Sequence, residues 1–247
     1  MHRLDQALVE RGLCASREKA KRAVMAGQVL INGQTARKPS DMVKPADELS
    51  LTSPEKYVSR GGYKLEQALQ HFHLNVRNST AIDLGASTGG FTDCLLQAGA
   101  AKVYAVDVGR GQLDWSLRHD PRVVVMERTN ARNLTPEQFP PPFVLVDLVV
   151  IDCSFISLRK ILPAAVALLQ PSGRIVALIK PQFEAGKAEA DKGAGVIKDA
   201  AIHGRVLRDL QEFVKTQPHM RWRGVIESPL LGPAGNKEFL VLIEKSS

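Results

Sequence analysis

From Thr80 onward, short apolar segments alternate regularly with longer helical segments, a pattern that few folds can accommodate. The apolar segments have the length of buried strands and are bounded by polar or glycine-rich turns. They span residues 81–84, 103–106, 123–126, 148–151 and 175–179, and helices are predicted at 90–98, 112–119, 158–169 and 198–215. This pattern predicts an α/β domain with a doubly wound, Rossmann-like parallel sheet.

The C-terminal part of the chain departs from the alternation. Residues 224–228 and 238–243 are strand-like and are separated by a loop rich in glycine and proline, which predicts a closing hairpin. Residues 184–198 are rich in glycine, alanine and charge. They are expected to form a mobile flap, with an ordinary surface loop as the alternative.

The N-terminal part is strongly basic. Residues 1–40 carry eight Lys or Arg against three Asp or Glu, a net charge of +5 out of +7 for the whole chain. Helices are predicted at 4–10 and 16–26, the second capped by Ser16, and Asn32-Gly33 predicts a hairpin. On the second helix the basic side chains lie opposite a small apolar face, which favours binding to a polyanion. A solvated basic surface, or a packing domain, is the alternative.

The motifs R-L-D, S-R-x-x-A, V-x-I-N-G and K-P-S follow one another across residues 3–51. This order resembles the S4-type RNA-binding domain, a small α+β module. The resemblance implies contacts with structured RNA through shape and phosphate. The residues concerned are Arg3, Arg17, Lys19, Lys21, Arg22 and Lys38. A polar, proline-containing segment at 52–56 predicts the domain boundary, so that the domains span 1–56 and 57–247.

The segment between the first strand and its helix indicates a cofactor site. Its residues are Asp83, Gly85, Ala86, Ser87, Thr88, Gly89 and Gly90. Small residues let a backbone approach a ligand closely, at the start of a helix. A dinucleotide fingerprint would have glycine at the position of Ser87, so the pattern favours S-adenosyl-L-methionine over NAD. A tight turn with an acidic helix cap is the alternative.

Asp107 and Asn130, which lie outside this loop, favour the same cofactor. Asp107 ends the second strand, 22 residues after Gly85, where a carboxylate can accept hydrogen bonds from both ribose hydroxyls of a nucleoside. Asn130, just beyond the third strand, is predicted to contact the adenine edge.

Charged residues also end the fourth and fifth strands. Asp152 follows the apolar run V-V-I, and Lys180 follows V-A-L-I. A charge at such a position is costly unless it is paired or functional. Since the carboxyl ends of parallel strands meet at one edge of the sheet, both side chains are predicted to enter the crevice beside the cofactor loop. A helix cap or a surface ion pair is the alternative for each residue alone.

Five longer motifs extend this pattern: K-Y-V-S-R-G-G-Y-K-L, D-L-G-A-S-T-G-G-F-T-D, D-C-S-F-I-S-L, K-P-Q-F-E-A-G-K and G-P-A-G-N-K-E-F. With them, almost the whole chain resembles the FtsJ-like RNA ribose methyltransferases. Within that family it resembles the TlyA group, some of whose members are called haemolysin A. The resemblance implies a catalytic tetrad of Lys64, Asp152, Lys180 and Glu238, with Lys180 as the base. Without it, Lys64 is the exposed start of a helix and Glu238 a charge at a strand edge.

The resemblance also implies the substrate, a cytidine 2′-hydroxyl of ribosomal RNA in the large subunit, with the small subunit as a second candidate. Free RNA and an assembled ribosomal subunit are both open as partners. A noncatalytic RNA-binding assembly factor is the alternative function. The short termini resemble the type that acts on the large subunit only.

Other classes of protein are disfavoured by composition. The three cysteines are an odd number without a close pair, which favours a reducing cytoplasm. The spacing of histidine and cysteine matches no metal-site pattern, so no metal is expected. No apolar run approaches the roughly 20 residues that a membrane-spanning helix needs. We therefore expect a cytoplasmic protein without a membrane partner.

Overall fold

The computed structural model describes residues 1–52, 56–186, 189, 193 and 195–246. The chain divides into two compact units, Met1–Lys56 and Tyr57–Ser247. Residues 187, 188, 190–192 and 194 of the expected flap lie outside the described part of the chain.

The N-terminal unit packs two helices, α1 (Leu4–Glu10) and α2 (Arg17–Met25), over small β-ribbons. Both predicted helices are confirmed, and the Ser16 side chain accepts a hydrogen bond from the backbone N–H of Lys19. The strands are β1 (His2–Arg3), β2 (Val29–Ile31), β3 (Gln34–Thr35), β4 (Met42–Val43) and β5 (Leu49–Leu51). Strands β2 and β3 form the predicted hairpin, with Asn32 and Gly33 both at positive φ.

The second unit is built on a seven-stranded sheet. Its strands are β6 (Thr80–Leu84), β7 (Lys102–Val106), β8 (Val123–Met126), β9 (Val146–Ile151), β10 (Leu169–Ile179), β11 (Met220–Glu227) and β12 (Phe239–Lys245). Their order across the sheet is β11-β12-β10-β9-β6-β7-β8. Strands β6 to β10 are mutually parallel, whereas β12 is antiparallel to both β10 and β11. The doubly wound sheet and its closing hairpin are therefore confirmed.

Helices cover both faces of this sheet. They are α3 (Gly61–His71), α4 (Gly90–Gln97), α5 (Trp115–Arg118), α6 (Leu162–Ala167), α7 (Pro181–Glu184) and α8 (Ala200–Thr216). One apolar cluster joins α3, α4 and α5 to Ala81 of β6, and the other joins α6 and α8 to its neighbour Ile82. Successive residues of a strand point to opposite faces, so each strand contributes to both clusters. None of the helices in the described part of the chain is long and apolar enough to span a membrane.

Two predicted helices were too long. The segment predicted as a helix over 158–169 contains a 3₁₀ turn at Leu158–Lys160 and then α6, which has a proline in its first turn. Strand β10 already begins at Leu169 and contains an irregularity before Arg174, where Ser172 has positive φ. The helix predicted over 112–119 begins only at Trp115, because the Asp114 side chain caps it by accepting a hydrogen bond from Ser116 N–H.

Candidate active site

Three parallel strands end at one cavity of about 300 Å³. Strand β6 leads to Asp83 and Gly85, β9 to Asp152, and β10 to Lys180. Lys64 from the first turns of α3 and Glu238 immediately before β12 also line this cavity. The four residues of the expected tetrad therefore line a single cavity at the carboxyl edge of the sheet.

Lys180 lies in a polar network that fixes the position of its ammonium group. Its Nζ atom is 2.7 Å from Asp152 Oδ1 and donates a hydrogen bond of 2.9 Å to Ser154 Oγ. The Lys180 side chain is 10% exposed and the Asp152 side chain 24%. The contact with Asp152 is an ion pair without an aligned hydrogen bond, because Oδ1 has no hydrogen-bond partner among the described residues. The ion pair with Asp152 and the hydrogen bond to Ser154 thus fix the position of the ammonium group.

Lys64 and Glu238 form a second and more deeply buried pair. Lys64 Nζ donates a hydrogen bond of 2.6 Å to Glu238 Oε2, across 174 residues of sequence. The side chains are 10% and 1% exposed. Reading Lys64 as an exposed helix start and Glu238 as a strand-edge charge is therefore wrong. Burying a charge is costly, and here each charge offsets part of the other's desolvation cost through one short hydrogen bond.

Asp83 is a buried carboxyl group in which one oxygen has no hydrogen-bond partner among the described residues. Its Oδ2 atom accepts hydrogen bonds from Thr92 N–H at 2.9 Å and from Thr92 Oγ1 at 2.7 Å. No described residue donates to Oδ1, although the residue lines the cavity. Burial, together with the nearby Asp152 charge, raises the pKa of Asp83 to about 7. A cationic ligand group would satisfy Oδ1 and stabilise the charged form.

The loop after β6 also lines this cavity through Gly85, Ala86, Ser87, Thr88 and Gly90. At Gly85 a Cβ atom would come within 2.8 Å of the Asp152 carbonyl oxygen, so this glycine allows two strand ends to pack. Gly89 lines neither cavity described here; it has φ +100° and lies against Leu113 and Leu117 of the same unit. Gly89 therefore serves turn geometry and packing, whereas Gly85 both allows close packing and lines the cavity, as the sequence pattern suggested.

A second cavity, of about 440 Å³, adjoins the first. The two share the wall residues Gly85, Ser87, Asp152 and Ser154, so an elongated ligand could occupy both. Asp107 and Asn130 line the second cavity.

The Asp107 carboxylate is already anchored by two backbone groups. It accepts hydrogen bonds from Ser87 N–H at 2.8 Å and from Gly109 N–H at 2.7 Å. Two carboxylate oxygens offer about four acceptor sites, so Asp107 can still receive ribose hydroxyls. The side chain of Asn130 accepts from Arg132 N–H at 3.0 Å, which leaves its amide N–H groups available.

Sequence reasoning missed several residues around these cavities. Ser154 and Thr92 belong to motifs that were identified, but their hydrogen bonds to Lys180 and Asp83 depend on tertiary packing. Phe155 was missed as well. It is 90% exposed, has φ +64° and lies beside the second cavity. A bulky residue in the left-handed region is strained, and such strain concentrates at functional sites.

Two further side chains anchor the loops that carry the site. Glu184 accepts hydrogen bonds from Ser157 Oγ and Leu158 N–H, which ties the loop after Asp152 to the helix after Lys180. Asn236, 1% exposed, accepts from Ile197 N–H and donates to the Gly195 carbonyl oxygen. The loop that precedes Glu238 is therefore fixed to the segment at 195–197.

The residues expected to bind RNA lie in the N-terminal unit. Arg3 and Arg17 converge on the buried Asp5. Lys19, Arg22 and Lys38 are exposed, and Lys21 forms an ion pair of 3.4 Å with Glu18.

Comparison with known proteins gives matches over both units. Residues 57–245 match the FtsJ-like methyltransferase family, and residues 2–49 match the S4 domain. The 16S/23S rRNA (cytidine-2′-O)-methyltransferase TlyA of Mycobacterium tuberculosis is 48% identical over 243 residues, covering 97% of this chain and 88% of the relative. The 23S rRNA (cytidine-2′-O)-methyltransferase TlyA of Campylobacter jejuni is 31% identical over 251 residues, covering 94% and 95%.

A solved structure agrees with these matches. A protein described as a hemolysin from Streptococcus thermophilus is 46% identical, with a TM-score of 0.75, and the alignment covers 100% of this chain and 89% of that one. The resemblance inferred from the sequence motifs is confirmed. This chain, with an S4 domain at its N-terminus, belongs to the FtsJ-like methyltransferase family.

Proposed function

We propose that the protein uses S-adenosyl-L-methionine to methylate the 2′-hydroxyl of a cytidine in ribosomal RNA. The observation that carries the proposal is the first cavity, in which two lysine–carboxylate pairs, Lys180–Asp152 and Lys64–Glu238, adjoin the free oxygen of Asp83. The two relatives named above act on the same class of substrate, a cytidine ribose.

The cofactor would occupy the two adjoining cavities. Bound S-adenosyl-L-methionine supplies a methyl group that is electrophilic because it is attached to a positively charged sulfur. Asp83 would hold the cationic amino-acid end through Oδ1, which has no other donor in the described part of the chain. Asp107 would accept hydrogen bonds from the ribose hydroxyls, and Asn130 would contact the base.

Lys180 would act as the general base. A ribose hydroxyl is a weak nucleophile until its proton is removed, and a well-placed base contributes about 10²–10⁴-fold to such reactions. Once Lys180 Nζ has released a proton to solvent, the neutral amine would accept the 2′-hydroxyl proton while the oxygen bonds to the methyl carbon and the carbon–sulfur bond breaks. Asp152 stabilises the resulting ammonium at 2.7 Å, and Ser154 keeps the nitrogen directed into the cavity. Lys64, held by Glu238, would position the ribose by donating its remaining N–H groups.

The N-terminal unit would bind the ribosomal RNA on which the second unit acts, since S4 domains bind RNA and this one is basic. The large ribosomal subunit is the first candidate substrate and the small subunit the second, because the M. tuberculosis relative is named for both and the C. jejuni relative for the large one.

The direct test is transfer of labelled methyl from S-adenosyl-L-methionine to purified large subunits, small subunits and the corresponding naked RNAs, followed by mapping of the label. We expect label on the 2′-oxygen of a cytidine. Label on a base would contradict the proposed reaction. RNA binding without any methyl transfer would instead favour a noncatalytic assembly factor.

Cofactor affinity is expected to depend on pH through Asp83. The pKa of this carboxyl group is raised to about 7, mainly by burial, so below pH 7 the cofactor must displace a proton to gain a carboxylate partner. The affinity should therefore rise with pH up to about 7, by at most about tenfold per pH unit, and then level off. Calorimetric titration between about pH 6 and pH 8 measures this dependence.

Asp83→Asn is the matched control, because it removes the titrating group at constant shape. It should bind more weakly above pH 7 and lose the pH dependence, apart from titration of the ligand's own amine, which both proteins share. In the wild-type protein, the free energy of unfolding should fall as pH rises from about 4 to about 7. The reason is that the Asp83 carboxyl group, with its raised pKa, loses its proton less readily in the folded state than in the unfolded state. Equal pH profiles for the two proteins would exclude Asp83 as the cofactor's partner.

A further inference from the structure

The N-terminal unit contains a fully buried carboxylate on which two arginines converge. Arg3 Nε donates to Asp5 Oδ1 and Arg3 Nη2 to Oδ2, both at 3.1 Å, and Arg17 Nε donates to Oδ2 at 3.0 Å. Asp5 is 0% exposed. The hydrogen bonds from Arg3 and Arg17 outweigh burial and lower the pKa of Asp5, so the carboxylate stays charged.

Both guanidinium groups keep an outer edge available for a ligand. The side chains of Arg3 and Arg17 are 40% and 49% exposed. Each guanidinium has five N–H donors, and Asp5 uses three of the ten. Arg3 Nη1 and both terminal nitrogens of Arg17 have no hydrogen-bond partner within the described residues.

Backbone hydrogen bonds tie the turn that carries Lys38 to the start of α1. Asp5 N–H donates to the Pro39 carbonyl oxygen at 3.0 Å, and Leu4 N–H donates to that of Asp41 at 2.8 Å. The Asp41 carboxylate in turn accepts hydrogen bonds from the backbone N–H groups of Arg37 and Lys38. The turn that carries Lys38 is therefore tied to the start of α1, next to the two arginines.

The resemblance to S4 domains already implies that Arg3 and Arg17 contact RNA. We propose that Asp5 is the positioning residue that orients these two arginines for one RNA phosphate. The proposal rests on the proposed function, because it assumes that this unit binds ribosomal RNA. Planar guanidinium groups recognise phosphate in pairs of hydrogen bonds, and groups that are already held in place lose less entropy on binding. Lys19 and Arg22, exposed on α2, would then supply charge rather than geometry.

The direction in which Asp5→Asn changes RNA affinity distinguishes a positioning role of Asp5 from a simple effect of charge. Asp5→Asn keeps the shape of the side chain and raises the net charge of the protein from +7 to +8. If only charge mattered, RNA would bind more tightly. If Asp5 orients the arginines, RNA should bind about 5- to 10-fold more weakly.

Glu18→Gln is the matched control. It makes the same change in net charge from a 74% exposed side chain on α2, without touching Asp5 or its arginines. We expect this variant to bind RNA as tightly as the wild type or slightly more tightly. Arg17→Lys is the second variant, because it keeps the charge, loses the planar fork and lies at an exposed position that folding should tolerate.

The experiment compares dissociation constants of the full chain for naked large-subunit rRNA over a range of salt concentrations. Asp5→Asn and Arg17→Lys should each weaken binding, reduce the salt dependence by about one phosphate contact and raise KM without changing kcat. Their double variant should bind no more weakly than either alone.

If Asp5→Asn binds like Glu18→Gln and Arg17→Lys binds like wild type, the inference is overturned while the proposed function stands. If the wild-type chain neither binds nor methylates ribosomal RNA, the proposed function fails and the inference fails with it.

Discussion

Replacing Lys180 with alanine is expected to lower the rate of methyl transfer by about 10²–10⁴-fold, the usual contribution of a general base. The substitution removes the amine that Asp152 and Ser154 hold in the cavity. It leaves Asp83 and Asp107 unchanged, so the dissociation constant of S-adenosyl-L-methionine should stay within a few fold. Single-turnover kinetics with saturating RNA and cofactor separate the chemical step from binding.

Lys160→Ala is the control for this prediction. Lys160 is an exposed lysine in the 3₁₀ turn that follows the Asp152 loop, so it tests the effect of removing one positive charge near the site. Its rate should match that of the wild type. A Lys180→Ala enzyme that also keeps its rate within a few fold would mean that another group accepts the proton.

Replacing either member of the buried Lys64–Glu238 pair is expected to lower both the free energy of unfolding and the methylation rate. In Lys64→Met the Glu238 carboxylate, 1% exposed, loses its partner, and in Glu238→Gln the Lys64 ammonium does. Removing one partner of a buried pair typically lowers the free energy of unfolding by about 3–5 kcal/mol. Because Gln still offers an amide oxygen, Glu238→Gln should lie at or below the low end of that range. Denaturant unfolding of each variant measures the loss.

The double variant Lys64→Met/Glu238→Gln separates the structural role of the pair from its role at the substrate. A neutral, well-packed pair often restores the stability that a single substitution loses. We therefore expect recovery of most of the unfolding free energy without recovery of the methylation rate. Recovery of both would mean that Lys64 does not contact the ribose.

The neighbouring Lys237–Glu227 pair provides the matched control for burial. It is an ion pair of 3.0 Å whose side chains are 51% and 52% exposed. Exposed pairs contribute between about 0 and 1 kcal/mol, so Lys237→Met should lower the free energy of unfolding by at most about 1 kcal/mol. A loss as large as that of Lys64→Met would show that burial is not what makes the Lys64–Glu238 pair important.

Much of the fold was predictable because its signals are local. Each parallel strand contains a short, mainly apolar run. The Asn32-Gly33 hairpin depends on two residues that tolerate positive φ, and Ser16 caps the helix by accepting a hydrogen bond from the N–H three residues later. Each of these signals acts within a few residues along the chain. The helix over 158–169 was overextended because the proline in the first turn of α6 and the early start of β10 left little room for it.

Part of the candidate site was predictable for the same reason. Asp152 and Lys180 each follow an apolar strand, and strands that are parallel bring such residues to one edge. The sequence could thus predict that they meet, but not that Ser154 would direct the lysine or that Asp83 would keep an unpaired oxygen.

Local sequence signals predicted the division into two domains, the succession of strands and helices along the chain, and the residue types at each strand end. Which charges are buried, and with which partner, follows from packing between elements that are distant in sequence. Lys64 and Glu238 are hydrogen-bonded although 174 residues separate them in sequence. Asp5 accepts hydrogen bonds from Arg3 and Arg17, which belong to two separate elements. Periodicity and capping depend on neighbours in sequence, whereas burial of a charge depends on elements that become neighbours only when the chain has packed.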